Sequence, residues 1–200
     1  EWVEDFLARR GVVSRRVANA TGDKANLLAL VGPRVVGGVV LSGHTDVVPV
    51  DGQNWTSDPW TLTERDRKFY GRGCADMKSF IAVALAHVDA ALAADLERPI
   101  ILAFSYDEEV GCLAAPDLIR VLIDELPRPE AVVVGEPTDM KVVSGHKGVS
   151  SFRVRVEGKE AHSSQTDQGV SAIMEALRLM QKVVDLGQED EDPQATQAEL

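Results

Sequence analysis

The stretch PIILAFSYDEEVG, Pro99 to Gly111, runs from a continuous apolar segment straight into three consecutive acids. The apolar part reads as a strand of a largely buried sheet. The acids repel one another, and two ordinary readings would account for them: a solvated loop, or the first turn of a helix, where the dipole favours negative charge. The rest of the chain decides between these and a functional reading.

Upstream, EWVEDFLARRG predicts a helix with Trp2, Val3, Phe6 and Leu7 on one face and Gly11 as its stop. Val12–Val17 and Asn26–Val31 read as strands on either side of the turn TGDK, and GVVLSGHTD as a third. After the loop VPVDGQNWTSDPW, the run TLTERDRKFYGRG predicts a hairpin. MKSFIAVALAHVDAALAADL then predicts one long helix, with Phe80, Ile81, Ala84, Leu85, Val88 and Leu92 on a single stripe. Downstream of the acids, AAPDLIRVLIDEL predicts a helix and EAVVVGEP a strand. This alternation predicts an α/β fold, with helices packed on a largely parallel mixed sheet.

Near residue 147 the pattern changes. SFRVRVEG alternates as a half-exposed strand does, and GVSAIMEALRLMQKVVDLG predicts an amphipathic helix. Two domains are expected, residues 1–147 and the start of a second over 148–200, whose one strand and one helix are too little to bury a core of their own.

Composition sets the outer limits. With 44% hydrophobic and 26% charged residues the chain reads as an ordinary globular protein. The formal charge of −11, from 21 basic and 32 acidic residues, argues against nucleic acid and anionic membranes as partners. No run approaches the roughly 18 apolar residues that cross a bilayer, and no signal peptide opens the chain, so a cytoplasmic location is the expectation. Cys74 and Cys112 match no paired motif and read as reduced thiols.

The residues that end the apolar strands share a chemistry. GVVLSG runs into His44 and Asp46, IILAFSY into Asp107, Glu108 and Glu109, and AVVVG into Glu136, while Asp76 precedes the long helix. In open α/β sheets the crevice at the carboxyl ends of the strands is where ligands bind. Singly, Asp76 reads as a helix cap, Glu136 before Pro137 as a surface turn, and a lone His as structural. Together they place carboxylates around a His, an arrangement that needs a counter-charge or else protonates. A divalent metal supplies one, and His with carboxylates suits zinc, cobalt or manganese. Asp46, two residues beyond His44 in extended chain, is placed to accept the second ring N–H. Dinucleotide, phosphate-loop, nucleophile-elbow and His-Glu-x-x-His patterns are all missing from the sequence.

The motifs LSGHTDVVPVDGQNWTSDPW, YGRGCADMK, YDEEVGCL, VVGEPTDMKVVSGHKG and GKEAHSS, spread from about Leu27 to Ala172, resemble those of the M20 family of metallopeptidase-type amidohydrolases. The resemblance implies a zinc-peptidase-like α/β catalytic domain interrupted by a smaller α+β lid and dimerisation domain. It implies that His44, Asp76 and Glu136 hold one metal ion and that Asp76 bridges to a second, also bound by Glu109. Two Zn2+ or Co2+ ions would serve a complete site. Glu108 would be the general base acting on a metal-held water, and Asp46 the outer partner of His44. His162 would reach from the lid into the partner subunit's site and polarise the substrate carbonyl.

The implied reaction removes acetate from N2-acetyl-L-ornithine, a step of arginine biosynthesis. A desuccinylase of succinyl-diaminopimelate, a deacylase of another N-acyl amino acid, or an inactive member that only associates would share the motifs. The implied assembly is a homodimer through the lid. The family's last metal-binding histidine has no match among His44, His87, His146 and His162; His87 reads as structural, and His146 fits the domain-junction motif. Ser79 and Ser171 stand where Gly and Asn are usual in the family. The chain is expected to cover about half of a full-length member and to bind one metal ion at most.

Overall fold

A computed structural model describes residues 1–145, 148 and 151–189, the side chains at 188 and 189 excepted; His146 and the acidic stretch past 189 lie outside the described residues. The chain divides into two compact units, Glu1–Asp139 and Met140–Leu200, each described by itself.

In the first unit, α1 (Trp2–Ala8) leads through Gly11, at φ +72°, into β1 (Ser14–Ala18), β2 (Ala25–Val31) and β3 (Val39–His44). A small hairpin, β4 (Thr63–Arg65) and β5 (Lys68–Tyr70), precedes a π-type turn over Cys74–Lys78. Then come α2 (Ser79–Ala86), α3 (Val88–Ala93), β6 (Ile100–Ser105), α4 (Ala115–Glu125) and β7 (Ala131–Val134). The main sheet has the order β1-β2-β6-β3-β7. β3 pairs in parallel with both β6 and β7, while β2 is antiparallel to β1 and β6. Four strands therefore run one way and β2 runs against them.

The unbroken apolar strands follow from cover on both faces. Leu27, Ala29 and Val31 of β2 and Leu102 and Phe104 of β6 pack with Leu7, Ile81, Ala84, Leu85 and Val88 from α1, α2 and α3. The alternate residues, Leu28, Ile101 and Ala103, join Val40 against Leu118 and Val121 of α4 on the other face. Helices thus sandwich the sheet. β7 closes one edge, with Val132, Val133 and Val134 exposed.

Two elements differ from expectation. The long helix from Met77 is broken at His87, whose amide lies 3.3 Å from the carbonyls of both Val83 and Ala84 and whose Nδ1 approaches the Val83 carbonyl at 2.8 Å. Ile81, Ala84, Leu85 and Val88 stay buried across the break. Apolar period reports which face is covered, and is blind to a local interruption of the hydrogen-bond ladder. In the second unit, residues 151–158 form no strand among the described residues; Lys159 and Val170 make only an isolated antiparallel bridge. Alternation marks a segment able to pair, but a strand exists only where its N–H and C=O groups find a partner. The amphipathic helix is present as α5 (Ala172–Glu189). No described helix is long and apolar enough to cross a membrane.

Ile101 is 0% exposed at the centre of the sheet. Ile101→Ala should destabilise the protein by about 2–5 kcal/mol through lost burial and a cavity. Urea unfolding followed by circular dichroism measures this; a loss under about 1 kcal/mol would mean the centre of the sheet is packed less tightly than described.

Candidate metal centre

The sheet delivers its polar residues to one edge. β3 ends on His44, which pairs in register with Ser105, the last residue of β6, so the chain after Ser105 emerges beside the imidazole. Gly135, following β7, donates its N–H to the Ser42 carbonyl at 3.0 Å and brings Glu136 to the same end. Asp76 arrives from the π-type turn.

His44 is 2% exposed. Its Nδ1 lies 3.0 Å from the backbone carbonyl of Asp46 and 3.5 Å from that residue's carboxylate. A carbonyl only accepts, so Nδ1 carries a proton, and the main chain rather than the expected carboxylate is the nearer partner. Nε2 faces Asp76 Oδ1 at 3.0 Å, with Glu108 and Glu136 oxygens each at 3.8 Å. Burial opposes charge on the ring, but the bonds to Asp76 and Asp46 and the nearby glutamates outweigh it and raise the pKa. Burial, then the charge of Asp76, likewise raises the pKa of Glu109 and of Glu136.

The carboxylate of Asp46 has another task. Its two oxygens accept the backbone N–H groups of Glu108, at 3.2 Å, and Glu109, at 3.0 Å. The acidic loop is thereby tied to the segment that carries His44. Asp107, the first of the three acids, stands in the left-handed region, at φ +55°. Beside it, the Cys112 thiol lies 3.5 Å from Glu108 Oε1.

Other residues without a ligand's chemistry also shape the centre. Met77, wholly buried, accepts the His44 N–H on its sulfur at 3.2 Å. A Cβ at Gly43 would meet the Met77 methyl at 2.9 Å, and one at Gly135 would collide with the Phe80 ring. Asn26 and Lys24 reach the acidic loop from the start of β2. Sequence reading passes over all of these: a Met in a helix start reads as core, and an Asn at a strand start reads as an ordinary polar residue opening the strand.

The donor set suits a divalent ion. Among the described residues two groups have their ligand atoms within 4.8 Å of one another, His44 with Asp76 and Glu136, and His44 with Glu108 and Glu109. Nε2 and a carboxylate oxygen are both acceptors in the neutral-imidazole state, so a proton or a cation must stand between them. One imidazole with several carboxylates is the mixture zinc and its neighbours bind. His162 belongs to the second unit, where it is exposed. The Ser164 N–H lies 3.3 Å and its Oγ 2.8 Å from His162 Nδ1, which leaves the ring proton on Nε2.

A fold and a centre of this kind define a metallopeptidase-like α/β unit, and comparison with known proteins gives the family. Residues 40–197 match peptidase family M20/M25/M40, to which the chain belongs. It is 40% identical over 151 residues to the acetylornithine deacetylase of Buchnera aphidicola subsp. Acyrthosiphon pisum (strain Tuc7), covering 76% of this chain and 39% of that relative. Human carnosine dipeptidase 1 has 31% identity and a TM-score of 0.58 over 66% of this chain and 31% of its own. A Staphylococcus aureus tripeptidase, 18% identical, shares the fold with a TM-score of 0.61 over 90% of this chain and 49% of its own. The matched segment thus spans 39% of the length of that deacetylase.

Asp46→Ala frees His44 and both loop amides from the carboxylate at once. Its affinity for Co2+ should fall about 10- to 100-fold, the usual consequence of losing a partner behind a metal ligand. Titration calorimetry checks this, and an unchanged affinity would show that the backbone carbonyl orients His44 unaided.

Proposed function

We propose that the protein is a metal-dependent amidohydrolase of N-acylated amino acids, with N2-acetyl-L-ornithine as substrate and acetate and L-ornithine as products. The convergence of Asp76, Glu108 and Glu136 on the buried Nε2 of His44 carries this reading. The likeness to an acetylornithine deacetylase supports the substrate. Arginine biosynthesis in the cytoplasm is the setting that goes with it.

His44, Asp76 and Glu136 would hold one ion, zinc or cobalt, with Glu109 serving a second that shares Asp76. Such ions supply a Lewis acid and lower the pKa of water to about 7. Glu108 then acts as general base: it takes one proton from the attacking water and passes it to the departing amine nitrogen. The water oxygen joins the acyl carbon as the carbon–nitrogen bond breaks. Asp46 holds the imidazole and the Glu108 main chain in register. The Nε2–H of His162 would donate to the acyl oxygen, stabilising negative charge as it develops. Residues 148–200 are read as the beginning of a lid that pairs with a second copy and presents that histidine. This assignment rests on the family resemblance.

Glu108→Gln should keep its metal and lose about 10²- to 10⁴-fold in kcat, whereas Glu109→Ala should lose metal. Metal content by emission spectroscopy, beside rates, separates the two; unchanged metal in Glu109→Ala would overturn the division between base and ligand.

The reading itself is tested with the full-length protein loaded with zinc or cobalt, following amine release with and without chelator. Chelator-sensitive release from N-acetyl-L-ornithine, and not from N-succinyl-diaminopimelate, is expected. The likeness to carnosine dipeptidase makes dipeptide cleavage the second reading, and release from carnosine alone would replace the first.

A further inference from the structure

The three acids at 107–109 sit on a loop that leaves β6 at Tyr106 and enters α4 after Ala114. Inside it, the Leu113 N–H reaches the Asp107 carbonyl at 3.0 Å, and Gly111 and Cys112 both donate to the Glu108 carbonyl at 2.9 Å. These bonds curl the loop but do not fix where it stands on the sheet. Asp46 grips it at the acids. A second grip lies at its base. Asn26, only 1% exposed, accepts the Tyr106 N–H on Oδ1 at 3.3 Å and donates from Nδ2 to the Ala114 carbonyl at 2.9 Å.

We propose that Asn26 is a positioning residue for Glu108 and Glu109, closing both ends of the acidic loop with one buried amide. This rests on the base and ligand assignments made above. Asparagine is the side chain of this size that offers an acceptor and a donor together. Aspartate lacks the donor, and leucine lacks both. Because β2 runs against its neighbours, its first residues, not its last, stand at the edge where the acids emerge. Two residues earlier, Lys24 Nζ pairs with Asp107 Oδ1 at 2.7 Å, so the same strand start holds the base of the loop and its first acid. Removing the amide strands a part-buried N–H and a buried C=O, and the loop relieves both by opening toward water.

The test uses the full-length protein as Asn26→Leu, beside Glu109→Ala and a core control remote from the loop, Leu7→Ala. In metal-free protein, amide hydrogen exchange across 106–114 should quicken at least about tenfold in Asn26→Leu, with exchange in β3 unchanged. Co2+ affinity should weaken about 10- to 100-fold for the ion that Glu109→Ala also loses, and kcat should fall with KM held. Wild-type exchange and wild-type Co2+ affinity in Asn26→Leu would overturn the proposal. So would equal changes in Leu7→Ala at matched Tm, since Asn26 would then matter only for stability. Should Asn26→Leu not fold, Asn26→Asp, which loses only the donor to Ala114, is read in the same way. If wild-type protein binds no Co2+, the metal reading fails, and hydrogen exchange alone decides the position of Asn26.

Discussion

Everything at the active edge follows from one electrostatic constraint: several carboxylates must stand around a single buried imidazole without driving one another away. Asp76, Glu108 and Glu136 all lie within 3.8 Å of Nε2. In water such neighbours separate or take up protons; here Glu108 and Glu136 are delivered by the chain leaving β6 and β7, and Asp76 by the π-type turn before α2. The helices on both faces of the sheet cover β6 and pack on β3, and β7 is held to β3 by its parallel ladder, so the three ends stay together. Packing free energy gained far from the site is thus what maintains the crowding of charge within it.

That delivery is reinforced by main-chain contacts. The Asp46 carboxylate binds two loop amides, its carbonyl sets the tautomer of His44, and Met77 takes the amide of His44. None of these groups has to meet a substrate. They convert strand ends, which would otherwise fray, into rigid mounts. Glycine at 43 and 135 has a related explanation, since a side chain at either position would meet Met77 or Phe80.

The sequence makes the sheet legible because covered strands cannot hide their apolar runs. The arrival of His44, Glu108 and Glu136 at one edge is equally readable, since each directly follows such a run. What resisted reading was of another kind. The break at His87 leaves the apolar stripe intact, so period alone passes over it. The bond from His44 to the Asp46 carbonyl involves an atom every residue possesses. Asn26 looks like any polar residue opening a strand, and its partners are 80 and 88 positions away. Residues 151–158 show the opposite case, where alternation was clear and the described chain supplies no partner.

The strand order carries a consequence for the newly made chain. β3 holds His44, yet its two neighbours in the sheet, β6 and β7, are both encoded after it, and β2 is not one of them. As synthesis proceeds, β1 and β2 can pair at once while β3 waits some sixty residues for a companion. The pairing of His44 with Ser105 can therefore form only once β6 has been made, and Glu136 comes later still. A premature ion would find only scattered carboxylates on an unfolded chain. The donor set is thus written across the chain in pieces, and the sheet that gathers them is complete only once its last strand has been made.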